Sequence, residues 1–235
     1  MMGLPRVVGL LALLLPVAAL AARVRVPVDV GVGPAAYYFF GPVADERWPV
    51  PHFGLKLNVE AVIDQNVIRE NRRAIPPKYL KQAEKITELR VSPSLFIPDA
   101  LILSPQTPYT GGTGIYGITW RPLALTVPLF GRKPAGSWKK SRGALDFEAG
   151  LLLTYAFLHS ETLPTTHFLR PGIDLTLELE LAASDSFLVS MGWASQLYVP
   201  QQLGSFDVGQ WNTGIFHVGQ AFLQLHVRFP YETSF

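Results

Sequence analysis

The last fifteen residues read AFLQLHVRFPYETSF, Ala221 to Phe235. Ala221, Leu223, Leu225, Val227, Phe229, Tyr231, Thr233 and Phe235 share one parity, while Gln224, His226 and Arg228 lie on the other. Side chains of a strand point alternately to its two faces. This spacing therefore predicts a strand with one nearly unbroken apolar face and one charged, hydrogen-bonding face.

Working back from it, the same period-2 alternation, bounded by Gly, Pro, Asn and Asp, predicts strands at 23–40, 52–64, 95–103, 114–127, 144–158, 172–181, 186–199 and 215–229. Val24, Val26, Val28, Val30 and Val32 oppose Arg25 and Asp29, and Phe53, Leu55, Leu57, Val59, Ala61 and Ile63 oppose Lys56, Asn58 and Glu60. Leu145 to Phe157 in steps of two oppose Asp146 and Glu148, and Ile173 to Leu181 oppose Asp174, Glu178 and Glu180. The stretch 95–103 is the weakest, because Pro98 removes a ladder donor. It is included because closed single-chain barrels of this kind have an even strand number. Pro122 marks a bulge or a change of face. Gln65 to Ser94 lacks the pattern, and Pro77 to Arg90 reads as an amphipathic helix with proline in its first turn.

Volume decides which face is inside. An eight-stranded barrel has an interior just wide enough for side chains, too narrow for these long rows of Leu, Val and Phe. The opposite rows mix Gly54, Gly150, Gly172, Ser190, Gly192 and Ala194 with charges, which suits a crowded lumen. The expected fold is all-β: a closed antiparallel transmembrane β-barrel of about eight strands with one helical insertion near 65–94. Aromatics at strand ends (Tyr37 to Phe40, Tyr109, Tyr155, Phe157, Tyr198, Trp211, Phe229, Tyr231) are expected as girdles at headgroup level.

At the N-terminus Arg6, the apolar run Val7 to Leu15 and Ala19-Leu20-Ala21 read as a signal peptide over 1–22, leaving a barrel domain at 23–235. With that leader, the amphipathic strands and the aromatic C-terminus, the chain resembles the broad class of small bacterial outer-membrane β-barrels. The resemblance implies residence in the bacterial outer membrane, contact with its lipids, and a last strand read by the insertion machinery. No other stretch is apolar over a helical span. The chain has no cysteine, which excludes disulfides, thiolate catalysis, Cys-ligated zinc and a lipid-modified N-terminal cysteine. A net charge of +2 gives no case for a nucleic-acid partner.

Antiparallel pairing of 144–158 with 172–181 brings Asp146 and Glu148 close to Glu178 and Glu180. The expected role is an ion-pair network that plugs the lumen, with Arg121, Lys56 and Arg228 across the lumen and Arg132, Lys133, Lys139, Lys140 and Arg142 in the neighbouring loop as candidate partners; the alternative is a divalent-cation site or an ion pathway. Arg132, Lys133, Lys139, Lys140 and Arg142 form a loop with five cations and no acid, suited to lipid headgroups, on the same side of the barrel as the net-basic stretch 65–94. Catalysis is poorly served: His159 and Ser160 are adjacent on a strand and point to opposite faces. His52, His167, His217 and His226 show no ligand spacing, and Gly111 to Gly114 precedes a strand rather than a helix, so no cofactor is expected. The expected function is non-enzymatic: a structural, binding or narrow-passage role in the outer membrane. The alternatives are a soluble barrel carrying an apolar ligand and an outer-membrane lipid-modifying enzyme acting through His159.

Overall fold

A computed structural model of the chain describes residues 23–41, 51–85, 88–97, 114–131, 143–159, 166–184, 186–199, 206–208 and 215–234. The leader at 1–22, the basic loop from Arg132 to Arg142, Tyr109, Trp211, Ser160 and the terminal Phe235 lie outside them. The strands are β1 (Arg23–Phe40), β2 (His52–Asp64), β3 (Glu88–Ile97), β4 (Gly114–Phe130), β5 (Gly143–His159), β6 (Thr166–Ala182), β7 (Phe187–Tyr198), β8 (Phe206–Val208) and β9 (His217–Ser234).

Every pairing is antiparallel, and the ring runs β1, β2, β3, β4, β5, β6, β7, β9 and back to β1. Eight strands thus close on themselves and leave no open edge in the wall. The short β8 pairs with β6 beyond the end of β7 and stands outside the ring. The first and last described residues, Arg23 and Ser234, lie at one end, the end at which β2 leads to β3, β4 to β5 and β6 to β7; the other four connections leave from the opposite end.

The faces fall as volume requires. Leu225 is 60% exposed, and Leu151, Ile173, Leu177, Leu223 and Val227 are likewise exposed on the outer wall, whereas Asp146, Glu148, Asp174 and Glu180 are almost wholly buried. A soluble carrier needs the reverse distribution. Such an inside-out wall, apolar toward its surroundings and charged within, is the arrangement of transmembrane barrels.

β1 and β2 occupy the expected spans, and Pro122 does mark a change of face. Across Trp120 to Leu123 the register of β4 on β5 shifts, so the inward row passes from Thr119 and Arg121 to Ala124 and Thr126. Two expectations fail. The third strand starts at Glu88 rather than at residue 95, with 98–103 of the expected span outside the described residues, and the helix begun at Pro77 stops at Ala83 rather than Arg90. Glu88, Arg90 and Ser92 alternate with Leu89 and Val91, and burial of the three polar side chains in the lumen outweighs the weak helical stripe. In addition, β6 starts at Thr166, so Arg170 belongs to a strand and not to the preceding loop.

The insertion holds two short helices, α1 (Gln65–Glu70) and α2 (Pro77–Ala83), joined through a 3₁₀ turn at Arg72–Ala74. Asp64, the last residue of β2, caps α1 by accepting hydrogen bonds from the backbone N–H groups of Asn66 and Val67, both at 2.9 Å. The side chain of Asn71 then accepts from Arg25 N at 3.1 Å and donates to Arg25 O at 2.9 Å. It thereby stands in for the strand neighbour that β1 loses where β2 ends.

Candidate functional site

The lumen has two tiers. Toward the end that carries the termini it is ionic. Arg90 on β3 donates from Nε to Glu88 at 2.9 Å, from Nη1 to Glu178 at 3.0 Å and from Nη2 to Glu180 at 2.9 Å. Glu60, Glu148 and Asp146 stand at 3.5, 3.5 and 3.7 Å from the same guanidinium. Arg121 on β4 donates to Ser92 at 2.9 Å and Asp174 at 2.9 Å, and pairs with Glu60 and Glu148. Two planar forks thus tie β2, β3, β4, β5 and β6 together across the barrel.

The four expected carboxylates, Asp146, Glu148, Glu178 and Glu180, do converge, and Asp146 sits opposite Glu178 in register. Their central partner is Arg90, which the helical reading of 77–90 hid. Of the expected partners Arg121 takes part, but Arg228 binds Asp29 on the β1–β9 seam. Lys56 lies over the ring of Phe222 at 3.8 Å from its centroid. Among the described residues, no group of three or more His, Asp or Glu side chains is arranged to hold a metal ion.

Buried pairs of this kind are a demanding construction. Taking each ion out of water costs roughly several kcal/mol, so the carboxylates gathered here require the two guanidinium groups that they surround. That requirement makes the ionic tier a structural tie, and it couples distant strands that share no backbone hydrogen bonds.

Toward the opposite end the lumen holds an apolar cluster beside buried polar side chains such as His52, Arg170 and Gln220. Ala35, Tyr37, Phe39, Leu152, Ala156, Ala194, Tyr198, Ile215, Val218 and Phe222 form one buried cluster. Tyr37, Phe39 and Tyr198 therefore face inward and are not girdle residues, contrary to expectation. Their parity on the strand is that of Asp29, Gly31 and Gln196, and parity decides the face. Both buried tyrosine hydroxyls are satisfied: Tyr37 donates to Leu55 O at 2.7 Å and Tyr198 to Gln196 at 2.8 Å. Arg170 fastens the cluster by donating to Ile215 O.

Outward aromatics do mark the wall near its ends. Tyr38 lies 5.4 Å from Trp193, Phe40 stacks on His217 at 4.7 Å, and Tyr155 bonds His167 at 2.6 Å. Phe229 and Tyr231 are exposed on β9. His226 meets Ser190 at 2.7 Å inside the barrel, so the histidines are dispersed over separate structural contacts.

No protein-family model matches the chain, and no curated protein matches it. Among solved structures it is similar to Neisserial surface protein A, with 10% identity over 86% of this chain and 95% of that one and a TM-score of 0.43. The N-terminal β-barrel domain of Pseudomonas aeruginosa OprF aligns at 9% identity over 88% and 98%, with a TM-score of 0.42. A major outer membrane protein of Thermus thermophilus aligns at 13% identity over 87% and 99%, with a TM-score of 0.39. At such low identities and TM-scores these likenesses carry no argument about activity, and the barrel stands on its own strand order.

Proposed function

We propose that this chain is an integral protein of the bacterial outer membrane with a non-enzymatic role, its barrel a plugged scaffold that presents the four connections remote from the termini. Reading the terminal end as periplasmic puts the helical insertion and the basic loop beneath the membrane and those four connections outside it. The observation that carries the reading is the filled lumen. An ionic tier and an apolar tier lie in series across an eight-stranded barrel, whose interior accommodates side chains and little else.

The test begins with fractionation and heat-modifiable gel mobility, where the folded chain is expected to pellet with outer envelopes and to run differently when unheated. Reconstituted in planar bilayers, it is expected to give no regular conductance steps. A reproducible ohmic channel would contradict the plugged scaffold, and recovery in a detergent-free soluble fraction would contradict the membrane assignment.

A further inference from the structure

We infer that the helical insertion, residues 65–85, is a docking surface for anionic phospholipid headgroups; the inference rests on the barrel's residence in a bilayer. Arg69, Arg72, Arg73, Lys78, Lys81 and Lys85 are exposed on this segment, with Glu70 and Glu84 the acids among them. Among the described residues, the ion pair formed by these six cations is that of Arg72 with Glu84 at 3.8 Å. Lys78 rests over its neighbour Tyr79 at 4.7 Å from the ring centroid, which places an ammonium beside a half-buried aromatic. The surface is therefore a field of cations largely without protein counter-charges.

Its position is set by the barrel. The cap at Asp64, the paired hydrogen bonds between Asn71 and Arg25, and the buried side chains of Val67 and Ile68 hold the segment at the rim of β1 and β2. Next to it one outward position on β3 is covered. Leu89 faces outward, since Arg90 faces the lumen, yet it is 7% exposed, whereas its register partner Leu125 is 51% exposed. The insertion thus adds its cations to the end of the wall where Leu89 is covered and the apolar row of β4 runs out at Phe130, and in a barrel that spans a bilayer a strand end meets the headgroups of one leaflet. Clustered Lys and Arg at such a boundary attract anionic lipid, and guanidinium groups can fork onto a phosphodiester.

The full chain would be assembled in nanodiscs of phosphatidylcholine containing a minority of phosphatidylglycerol, and the lipids retained by the ejected barrel counted by native mass spectrometry. The wild type is expected to keep phosphatidylglycerol several-fold above its bulk fraction. A K78Q/K81Q/K85Q variant, and separately R69Q/R73Q, should fall toward that fraction while keeping heat-modifiable mobility. A retained fraction equal to bulk in the wild type, or enrichment unchanged in both variants, would overturn the inference. So would unchanged lipid counts with loss of binding to soluble polyglutamate, which would point to an acidic polymer instead. Failure of the wild type to enter nanodiscs at all would refute the membrane reading itself, and heat modifiability separates the two failures.

Discussion

Arg228 on β9 sits directly opposite Asp29 on β1 and grips its carboxylate in a fork, Nε to Oδ1 at 2.5 Å and Nη2 to Oδ2 at 2.6 Å. The two residues are nearly the whole chain apart, and they meet on the seam where the first and last strands close the ring. Asp29→Ala and Arg228→Ala should each lower the unfolding free energy in detergent by about 3–5 kcal/mol, because each removes one side of a buried, two-pronged ion pair. The double variant should lose less than the sum of the two. Guanidinium titration followed by gel mobility measures all three.

Arg90 carries the ionic tier, so its loss should be the most damaging single change in the lumen. Arg90→Met removes the guanidinium that six carboxylates surround, of which Glu60 and Glu148 keep Arg121, and is expected to abolish folding into micelles. Arg90→Lys should restore part of the folded yield at best, since one ammonium cannot reproduce a planar fork to three partners. Refolding yields from urea compare the two.

Phe222 closes the apolar tier and supports the Lys56 ammonium. Phe222→Ala is expected to cost about 3–5 kcal/mol through the lost ring and the space it leaves. Phe222→Leu should retain most of the packing and lose roughly 0.5–2 kcal/mol, the range of a cation–π contact. Midpoints of denaturation for the two variants distinguish packing from cation–π support.

On the outer wall the indole of Trp193 lies over Gly219, where a Cβ would come within 2.5 Å of the ring. Gly219→Val should displace the indole and break its hydrogen bond to Ser195, now 2.9 Å. Trp193 emission, obtained by difference against Trp193→Phe, is expected to shift in Gly219→Val; an unchanged spectrum would show that the ring does not depend on this glycine.

Asn71→Ala should release the helical insertion from β1 without opening the barrel. Trypsin cleavage within 65–85 is expected to accelerate while heat-modifiable mobility persists, at a cost of about 1–3 kcal/mol for the lost pair of hydrogen bonds.

Much of this architecture was legible in the order of side chains, because in a membrane barrel parity maps directly onto lipid or lumen. β1 and β2 were readable to their ends, and the face change at Pro122 was visible where an inward Arg121 is followed by a residue without a backbone donor. Arg90 was missed because the stretch Pro77 to Arg90 begins with genuine helical signals, and only Glu88-Leu89-Arg90-Val91-Ser92 carries the period of two. Five residues are too few to outweigh a helix when the carboxylates that fix them lie on other strands. The inward turn of Tyr37 and Phe39 was available from their parity with Asp29, but aromatics near a strand end look alike whether they meet headgroups or plug a lumen. The helix α1 was not legible, because its capping residue Asp64 is also the last residue of the strand that precedes it.

The central claim is that apolar rows face lipid while charges fill the lumen, and the absence of cysteine makes it directly measurable with single introduced labels. Nitroxides placed one at a time at residues 222–227 of β9 in the reconstituted barrel report collisions with oxygen, which partitions into hydrocarbon. High accessibility at Leu223, Leu225 and Val227, with low values at Phe222, Gln224 and His226, is the expected result. A flat profile, or one of opposite phase, would contradict the account.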